Sequence, residues 1–266
     1  MNQMTNAMME LAGMDELSRL DSFYHRLHPL VKLLLTIAYI AVVLSFPVRS
    51  LAGLFPMLLF PLIGYALSGI PVRTCFYRLR YILPLVAFVG IWNPILNRTP
   101  VMTLGALTIS AGMISFITLL LKGIYALMAS FLLIATTGIE NICYALRCLH
   151  IPKLLVTTLL ITYRYISLLL SEAGTMASSY ALRAPNQKGV HYKAWGSFLG
   201  SLLLRSMDRA TALYQSMQMR GFSGDFYYTK GTRMQTPDVL FFVLGLGLIL
   251  LVRFVPIATL IGQLFV

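Results

Sequence analysis

Long apolar blocks separated by short polar stretches dominate the chain. Four of these blocks lie before the middle, at about 30–46, 51–67, 81–96 and 109–136, and a fifth lies at about 239–266. A helix needs about 20 predominantly apolar residues to cross the hydrocarbon core of a bilayer. The pattern therefore predicts about five transmembrane helices.

The stretch 137–237 interrupts this pattern, because its polarity is mixed. Its first half, 151–184, is apolar, but Arg164 would lie at the centre of a span and Glu172 follows soon after. Charged groups at the centre of a bilayer are costly. We therefore predict an amphipathic helix that lies along the membrane surface and packs on its neighbours.

A second amphipathic helix is predicted for 195–221, where apolar residues recur with a spacing of about 3.6 residues. These residues share one face of the helix: Leu199, Leu202, Leu203, Met207, Ala210, Leu213, Tyr214 and Met217. Gly221 follows the last turn, as a helix C-cap would. The residues 185–189, Pro-Asn-Gln-Lys-Gly, are typical of a turn. The two helices are thus predicted to form a hairpin.

These patterns together predict an all-α polytopic membrane protein with a cytoplasmic helical domain between the fourth and fifth spans. Residues 1–29 form a cytoplasmic N-terminal segment, and residues 30–136 hold transmembrane helices 1–4. Residues 137–237 form the cytoplasmic domain. Residues 238–266 form the last transmembrane helix.

The charge distribution indicates the orientation in the membrane. Only 11% of the 266 residues are charged, against about 25% in soluble domains. With the N-terminus inside, most of the 21 lysines and arginines lie on the cytoplasmic side, and the outside loops hold Arg49 and Arg98. This positive-inside distribution predicts a multi-pass protein of the cell (inner) membrane with a cytoplasmic N-terminus. The net charge of +12 does not indicate nucleic-acid binding, because no basic run is interleaved with stacking aromatic residues.

Lys122 and Arg253 lie at membrane depth within predicted spans. Ionisable residues at membrane depth are functional candidates. The alternative is that they snorkel towards an interface or cap a helix end. Lys122 lies centrally in its span, and both interpretations stay open for it. Arg253 is close to the helix break at Pro256, which favours the structural role.

Two small groups of histidine and cysteine invite a metal interpretation. His25 and His28 are three residues apart on a predicted helix, and Cys143 and Cys148 lie close to His150. The first pair is better explained as a polar cap at the membrane edge. The cysteines are better explained as small apolar residues on a buried helix face. We therefore expect no metal site.

No motif for chemistry is visible in the chain. It contains no Gly-Lys dipeptide, which excludes a P-loop of the G-x-x-x-x-G-K-[ST] kind. It contains neither G-x-S-x-G nor H-E-x-x-H. We expect a protein that is not an enzyme, has no catalytic residues and holds no cofactor.

Two arginine elements stand out instead. Leu182-Arg183-Ala184 and Met219-Arg220-Gly221 each place an arginine and a small residue at the end of a predicted amphipathic helix. A small neighbour lets a helix end enter a groove closely, while the guanidinium forms several charge-assisted hydrogen bonds. Two such ends on one hairpin would suit two equivalent sockets on partner proteins.

The chain resembles the transmembrane (T) component of energy-coupling factor transporters, most closely the cobalt-type CbiQ family, from about residue 20 to 226. Five segments carry the resemblance: 27–34 (LHPLVKLL), 151–153 (IPK), 160–166 (LITYRYI), 202–210 (LLLRSMDRA) and 214–222 (YQSMQMRGF). The resemblance implies partners: two ATP-binding cassette ATPase subunits and a separate substrate-capture membrane subunit, within the lipid bilayer.

In that family, two Ala-Arg-Gly/Ser-type motifs end the coupling helices and dock into the ATPases. Arg183 and Arg220 match the motif arginines. Leu182 and Met219 stand where the family often has Ala, Ala184 is in the third position of the first motif, and Pro185 follows it directly. These departures keep the charge but enlarge its neighbour, which affects the expected depth of docking at the first motif.

By resemblance, the chain would couple ATP-driven motion of the ATPases to uptake of Co²⁺ or Ni²⁺. T components of vitamin transporters are an alternative within the same class. An intramembrane enzyme that uses the histidine or cysteine groups on a lipid is an alternative of another class. A membrane-anchored assembly factor without a transport role is a third.

Overall fold

The computed structural model describes residues 9, 12–47, 51–96, 100–104, 107–184, 189–224 and 234–254. Arg49, Arg98, the predicted turn residues 185–188 and the part of the last predicted span that contains Pro256 lie outside these residues.

Within the described residues, seven main helices follow one another along the chain. They are α1 (Pro29–Leu44), α2 (Leu59–Ser68), α3 (Val72–Gly90), α4 (Ala111–Cys148), α5 (Lys153–Arg183), α6 (Trp195–Met219) and α7 (Thr236–Phe254). Shorter helical pieces cover 12–18, Phe23–Arg26, Leu51–Leu54, Phe55–Leu58, Trp92–Leu96 and Tyr192–Ala194. The predicted all-α polytopic class is confirmed, and the predicted helices 51–67 and 81–96 are each divided among more than one of these elements.

A short antiparallel hairpin, which the sequence pattern did not predict, precedes α4. Strand β1 (Pro100–Leu104) pairs with β2 (Leu107–Ser110), with Leu104 opposite Leu107. Strands of four or five residues are too short to produce a clear alternating pattern, so the sequence does not reveal them.

Three helices, α4, α5 and α7, are long and apolar enough to cross a membrane, and Pro29–Leu44, Phe55–Ser68 and Ile82–Pro94 are shorter apolar helices. The first group includes α5, for which the sequence predicts a position along the membrane surface. Length and apolarity alone allow either position for α5. The cytoplasmic placement of 137–237 therefore stays a prediction.

The described residues form two compact units. The bundle unit lies within 17–138 and 232–266, and the hairpin unit lies within 1–16 and 139–231. In the bundle unit, α1 and α7 approach closely at Gly245, where a Cβ atom would lie 2.9 Å from a methyl carbon of Leu35. Two buried clusters fill this unit, around Tyr65 and Leu132 and around Tyr39 and Tyr125.

Helix α4 is interrupted at Gly138, the last residue of the bundle unit along this helix. Gly138 has φ 69° and ψ 157°, a backbone conformation that is almost restricted to glycine. A Cβ atom there would also lie 3.1 Å from the hydroxyl of Ser18. The break lies one residue beyond the start of the predicted domain 137–237.

Candidate coupling site

The two predicted arginine elements lie at the C-terminal ends of the two helices of the hairpin unit. Arg183 is the last residue of α5, and Arg220 is the C-cap residue of α6. Gly221 has φ 76°, and the N–H of Phe222 donates to the carbonyl of Met217 at 3.0 Å. A glycine in the left-handed region is the usual way to end a helix in this manner. The predicted C-cap at Gly221 is thus present.

The residues beside the arginines are unusually exposed for their type. Leu182 is 84% exposed and Met219 is 88% exposed, and both arginines are exposed. Burying a side chain such as leucine or methionine contributes about 1.5–3 kcal/mol. Each helix end therefore presents a charged group and an apolar group that a partner surface could cover together.

The two helices run antiparallel, so the arginines lie at opposite ends of the hairpin. Arg183 lines a groove of about 370 Å³ with Ser197 and Arg205 of α6. Arg220 lines a groove of about 600 Å³ with Arg164 and Ser171 of α5. Arg164 and Arg183 are nineteen residues apart on one helix, which separates the two ends by roughly 30 Å at 1.5 Å per residue.

Glu172 joins the two helices of the hairpin at a point between the two grooves. Its carboxylate accepts hydrogen bonds from Arg205 at 2.5 Å and from Arg209 at 2.6 Å. Charge-assisted bonds of this kind are directional and join α5 to α6 at one point. From the sequence, Glu172 was interpreted only as a charge unsuited to a span. Its partners lie more than 30 positions away along the chain, so local spacing could not identify them.

Lys122 is buried in the bundle unit and is 8% exposed. Its ammonium donates to the carbonyl of Leu44 at 3.1 Å and to that of Phe46 at 2.6 Å. Arg253 donates to the carbonyl of Ser45 at 3.3 Å, and its guanidinium lies over the ring of Phe46 at 4.4 Å. Two cationic side chains therefore donate to carbonyls at the end of α1. The contacts of Arg253 fit its interpretation as a helix cap.

The two histidines of the HRLHP segment are engaged in local caps. The ring of His28 accepts from the N–H of Leu30, at the start of α1. His25 Nε2 contacts the carbonyl of Leu17 at 3.1 Å, and its Nδ1 contacts the hydroxyl of Ser22 at 2.6 Å. Burial lowers the pKa of His25, which favours the neutral form of the ring.

Asp238 is a buried acidic residue that lies just before the last predicted span. It lies inside α7, and its carboxylate accepts from the backbone N–H of His28 at 3.0 Å and from that of Gln235 at 2.9 Å. It therefore ties the start of α7 to the start of α1. The sequence signal for this role is an acidic residue in the first turn of a helix, where the helix dipole favours negative charge.

Both cysteines of the group near His150 lie in α4. Cys143 is buried, Cys148 is partly buried, and both are free thiols. His150, two residues beyond the end of α4, has φ 62°, a left-handed conformation that is uncommon outside glycine. Among the residues that the structure describes, no group of three His, Cys, Asp or Glu side chains is arranged to hold a metal ion.

Comparisons with known proteins identify one family and two relatives. The family model described as cobalt transport protein (CbiQ) matches residues 21–229. Nickel permease LarQ of Lactiplantibacillus plantarum is 31% identical over 105 residues, which are 40% of this chain and 38% of LarQ. An uncharacterised protein of Methanocaldococcus jannaschii is 26% identical over 137 residues, which are 51% of this chain and 47% of that protein. The alignments thus span less than half the length of each relative.

Proposed function

Because the chain belongs to the CbiQ cobalt transport protein family, we propose that it is the transmembrane scaffold of an energy-coupling factor importer. In this role it transmits ATP-driven motion of two ATPase subunits to a separate membrane subunit that captures the substrate. The observation that carries this proposal is the pair of exposed arginines, Arg183 and Arg220, at opposite ends of one helical hairpin.

The geometry of the hairpin supports docking of two partners rather than one. Two ends roughly 30 Å apart leave room for one ATPase subunit at each. A guanidinium forms two parallel hydrogen bonds with a carboxylate, so an acidic group of the ATPase would match each arginine. Leu182 and Met219 would then pack against apolar surface of the ATPase beside that acidic group. A change in the distance between two ATPases would move both ends of the hairpin.

The proposed substrate is a divalent transition-metal ion, Co²⁺ or Ni²⁺. Two findings support it: the description of the family names cobalt, and the printed name of LarQ names nickel. The ion is cargo in this proposal, and the separate capture subunit would bind it. The proposed location is the cell inner membrane with the N-terminus in the cytoplasm, supported by the positive-inside distribution of lysine and arginine.

The test is charge reversal at the two ends, in the complete transporter. Removing one partner of a buried charge contact costs about 2–5 kcal/mol, or roughly 30-fold to several thousand-fold in affinity. Because two docking points act as a bivalent grip, Arg183→Glu and Arg220→Glu should each retain some ATPase. The double variant should lose both ATPase co-purification and metal uptake, while the membrane protein is still inserted.

Lys193→Glu is the matched control, since Lys193 is an exposed basic residue in the turn between α5 and α6. It should leave co-purification and uptake at wild-type levels. Recovery of both ATPases in wild-type amounts with the double variant would refute the coupling role of these two arginines.

A further inference from the structure

Two buried lysines connect α1 and α4 in opposite directions. Lys32 of α1 is 1% exposed. Its ammonium donates to the carbonyl of Thr136 in α4 at 3.1 Å and to the carbonyl of His25 at 3.1 Å. The side chain is therefore enclosed by protein.

Lys122 forms the reciprocal contact. It belongs to α4 and donates to the carbonyls of Leu44 and Phe46 at the end of α1. These carbonyls lack partners within α1, since the last four carbonyls of any helix do. Thr136 likewise lies two residues before the break at Gly138. Each lysine thus reaches the position where the other helix ends or is interrupted.

The spacing of the two contacts matches on both helices. Lys122 and Thr136 are fourteen residues apart on α4, which corresponds to about 21 Å. Lys32 and Leu44 are twelve residues apart on α1, or about 18 Å, and Phe46 lies two residues beyond the end of that helix. Similar intervals between donors and acceptors on two antiparallel helices favour one register.

We propose that Lys32 and Lys122 act together as a register lock, a pair of positioning residues that fixes the axial position of α4 against α1. Sliding by one helical turn would shift the two helices by about 5.4 Å and remove the acceptors from both ammonium groups. An unsatisfied polar group in a membrane interior costs several kcal/mol. Either lysine alone leaves α4 able to pivot, whereas the pair prevents both pivoting and sliding.

The lock has a consequence for coupling, which rests on the proposed function. Beyond Gly138, α4 continues into the hairpin unit that carries Arg183 and Arg220. A fixed α4 up to Thr136 gives that unit a firm attachment. Force transmitted along the chain through Gly138 is then not lost as sliding of α4 within the bundle unit.

The direct test measures the register in the purified transporter. Spin labels are attached at Ile37 of α1 and Ile117 of α4, which are both exposed, on a background without native cysteines. Pulsed electron paramagnetic resonance then measures the distance between the two labels. We expect one narrow distance distribution for the wild type. Lys32→Met with Lys122→Met should give a distribution at least twice as wide, each single variant an intermediate one, and the exposed control Lys193→Met no change.

Metal uptake and ATPase co-purification are measured on the same variants without labels. The double variant should retain both ATPases, because Arg183 and Arg220 are unchanged, but should lose at least tenfold in uptake per ATP hydrolysed. A wild-type distance distribution in the double variant, or in the single variants should the double not fold, overturns the register lock. A widened distribution with wild-type uptake overturns its role in coupling. Neither result bears on whether the arginines dock the ATPases.

Discussion

Replacing Gly138 by alanine should destabilise the bundle unit, because the break in α4 depends on a conformation that alanine does not adopt readily. Gly138 has φ 69° and ψ 157°. For a residue with a Cβ atom, this region of backbone conformations is strongly disfavoured, because the side chain collides with the neighbouring peptide groups. Alanine at position 138 therefore has either to tolerate the strain or to change the path of the chain.

The expected magnitude follows from the strain and from the local space. A residue held in such a sparsely populated region costs about 1–3 kcal/mol. The new methyl group would also meet the Ser18 hydroxyl at 3.1 Å and its Cβ at 3.3 Å, so Ser18 must shift by a few tenths of an ångström. A loss of about 1–3 kcal/mol corresponds to a roughly 5- to 150-fold change in the unfolding equilibrium.

The assay is thermal or denaturant unfolding of the purified chain in detergent, with Gly174→Ala as the matched control. Gly174 lies inside α5, and an added Cβ would meet nothing within 4 Å. Alanine is the better helix former by roughly 0.5–1 kcal/mol, so this variant should be unchanged or slightly more stable. The two substitutions are chemically identical, but only Gly138→Ala should lower the free energy of unfolding.

Equal stability of the Gly138→Ala and Gly174→Ala variants would refute the reasoning, since the strain at position 138 would then be absent. If Gly138→Ala is destabilised as expected, metal uptake by the reconstituted transporter should fall as well. The reason is that a changed chain path at Gly138 alters how α4 leads into the hairpin that carries the arginines.

Two further predictions concern topology and the start of α7. On a background without native cysteines, Ser45→Cys should react with an impermeant thiol reagent in intact cells and Tyr192→Cys only after permeabilisation, and the reverse pattern would exclude a cytoplasmic hairpin. Asp238→Asn should lower stability by about 1–3 kcal/mol, because an amide has one acceptor oxygen for the two backbone N–H groups that the carboxylate now accepts. The exposed Asp208→Asn should match the wild type in the same melting experiment, and equal melting of both variants would contradict the role of Asp238.

The helices and the arginine elements could be predicted because local pattern determines them. Apolar periodicity marks α5 and α6, and a glycine after Arg220 marks the end of α6. The same pattern cannot tell a helix lying on a membrane from one crossing it, since α5 satisfies the length and apolarity of both. The position of α5 in the membrane therefore requires the labelling experiment.

The buried polar contacts could not be predicted in the same way. Lys32 follows Pro29 by three residues and looks like a basic residue at a membrane edge, but its acceptor, the carbonyl of Thr136, is 104 positions away. Glu172 looked like an obstacle to a span, whereas it joins two helices through Arg205 and Arg209. Such contacts depend on tertiary packing, which brings together groups whose local surroundings carry no sign of one another.

The two ends of the hairpin differ in their chemistry, which bears on the symmetry of the assembly. Arg183 is followed by Ala184 and lines a groove of about 370 Å³, while Arg220 is followed by Gly221 and lines one of about 600 Å³. Under the proposed function, a pair of identical ATPases would thus lose its twofold symmetry on binding, since each copy would occupy a different environment. The copies would then differ in affinity and in the strain they transmit, so one nucleotide site would be distinguishable from the other even when their sequences are the same.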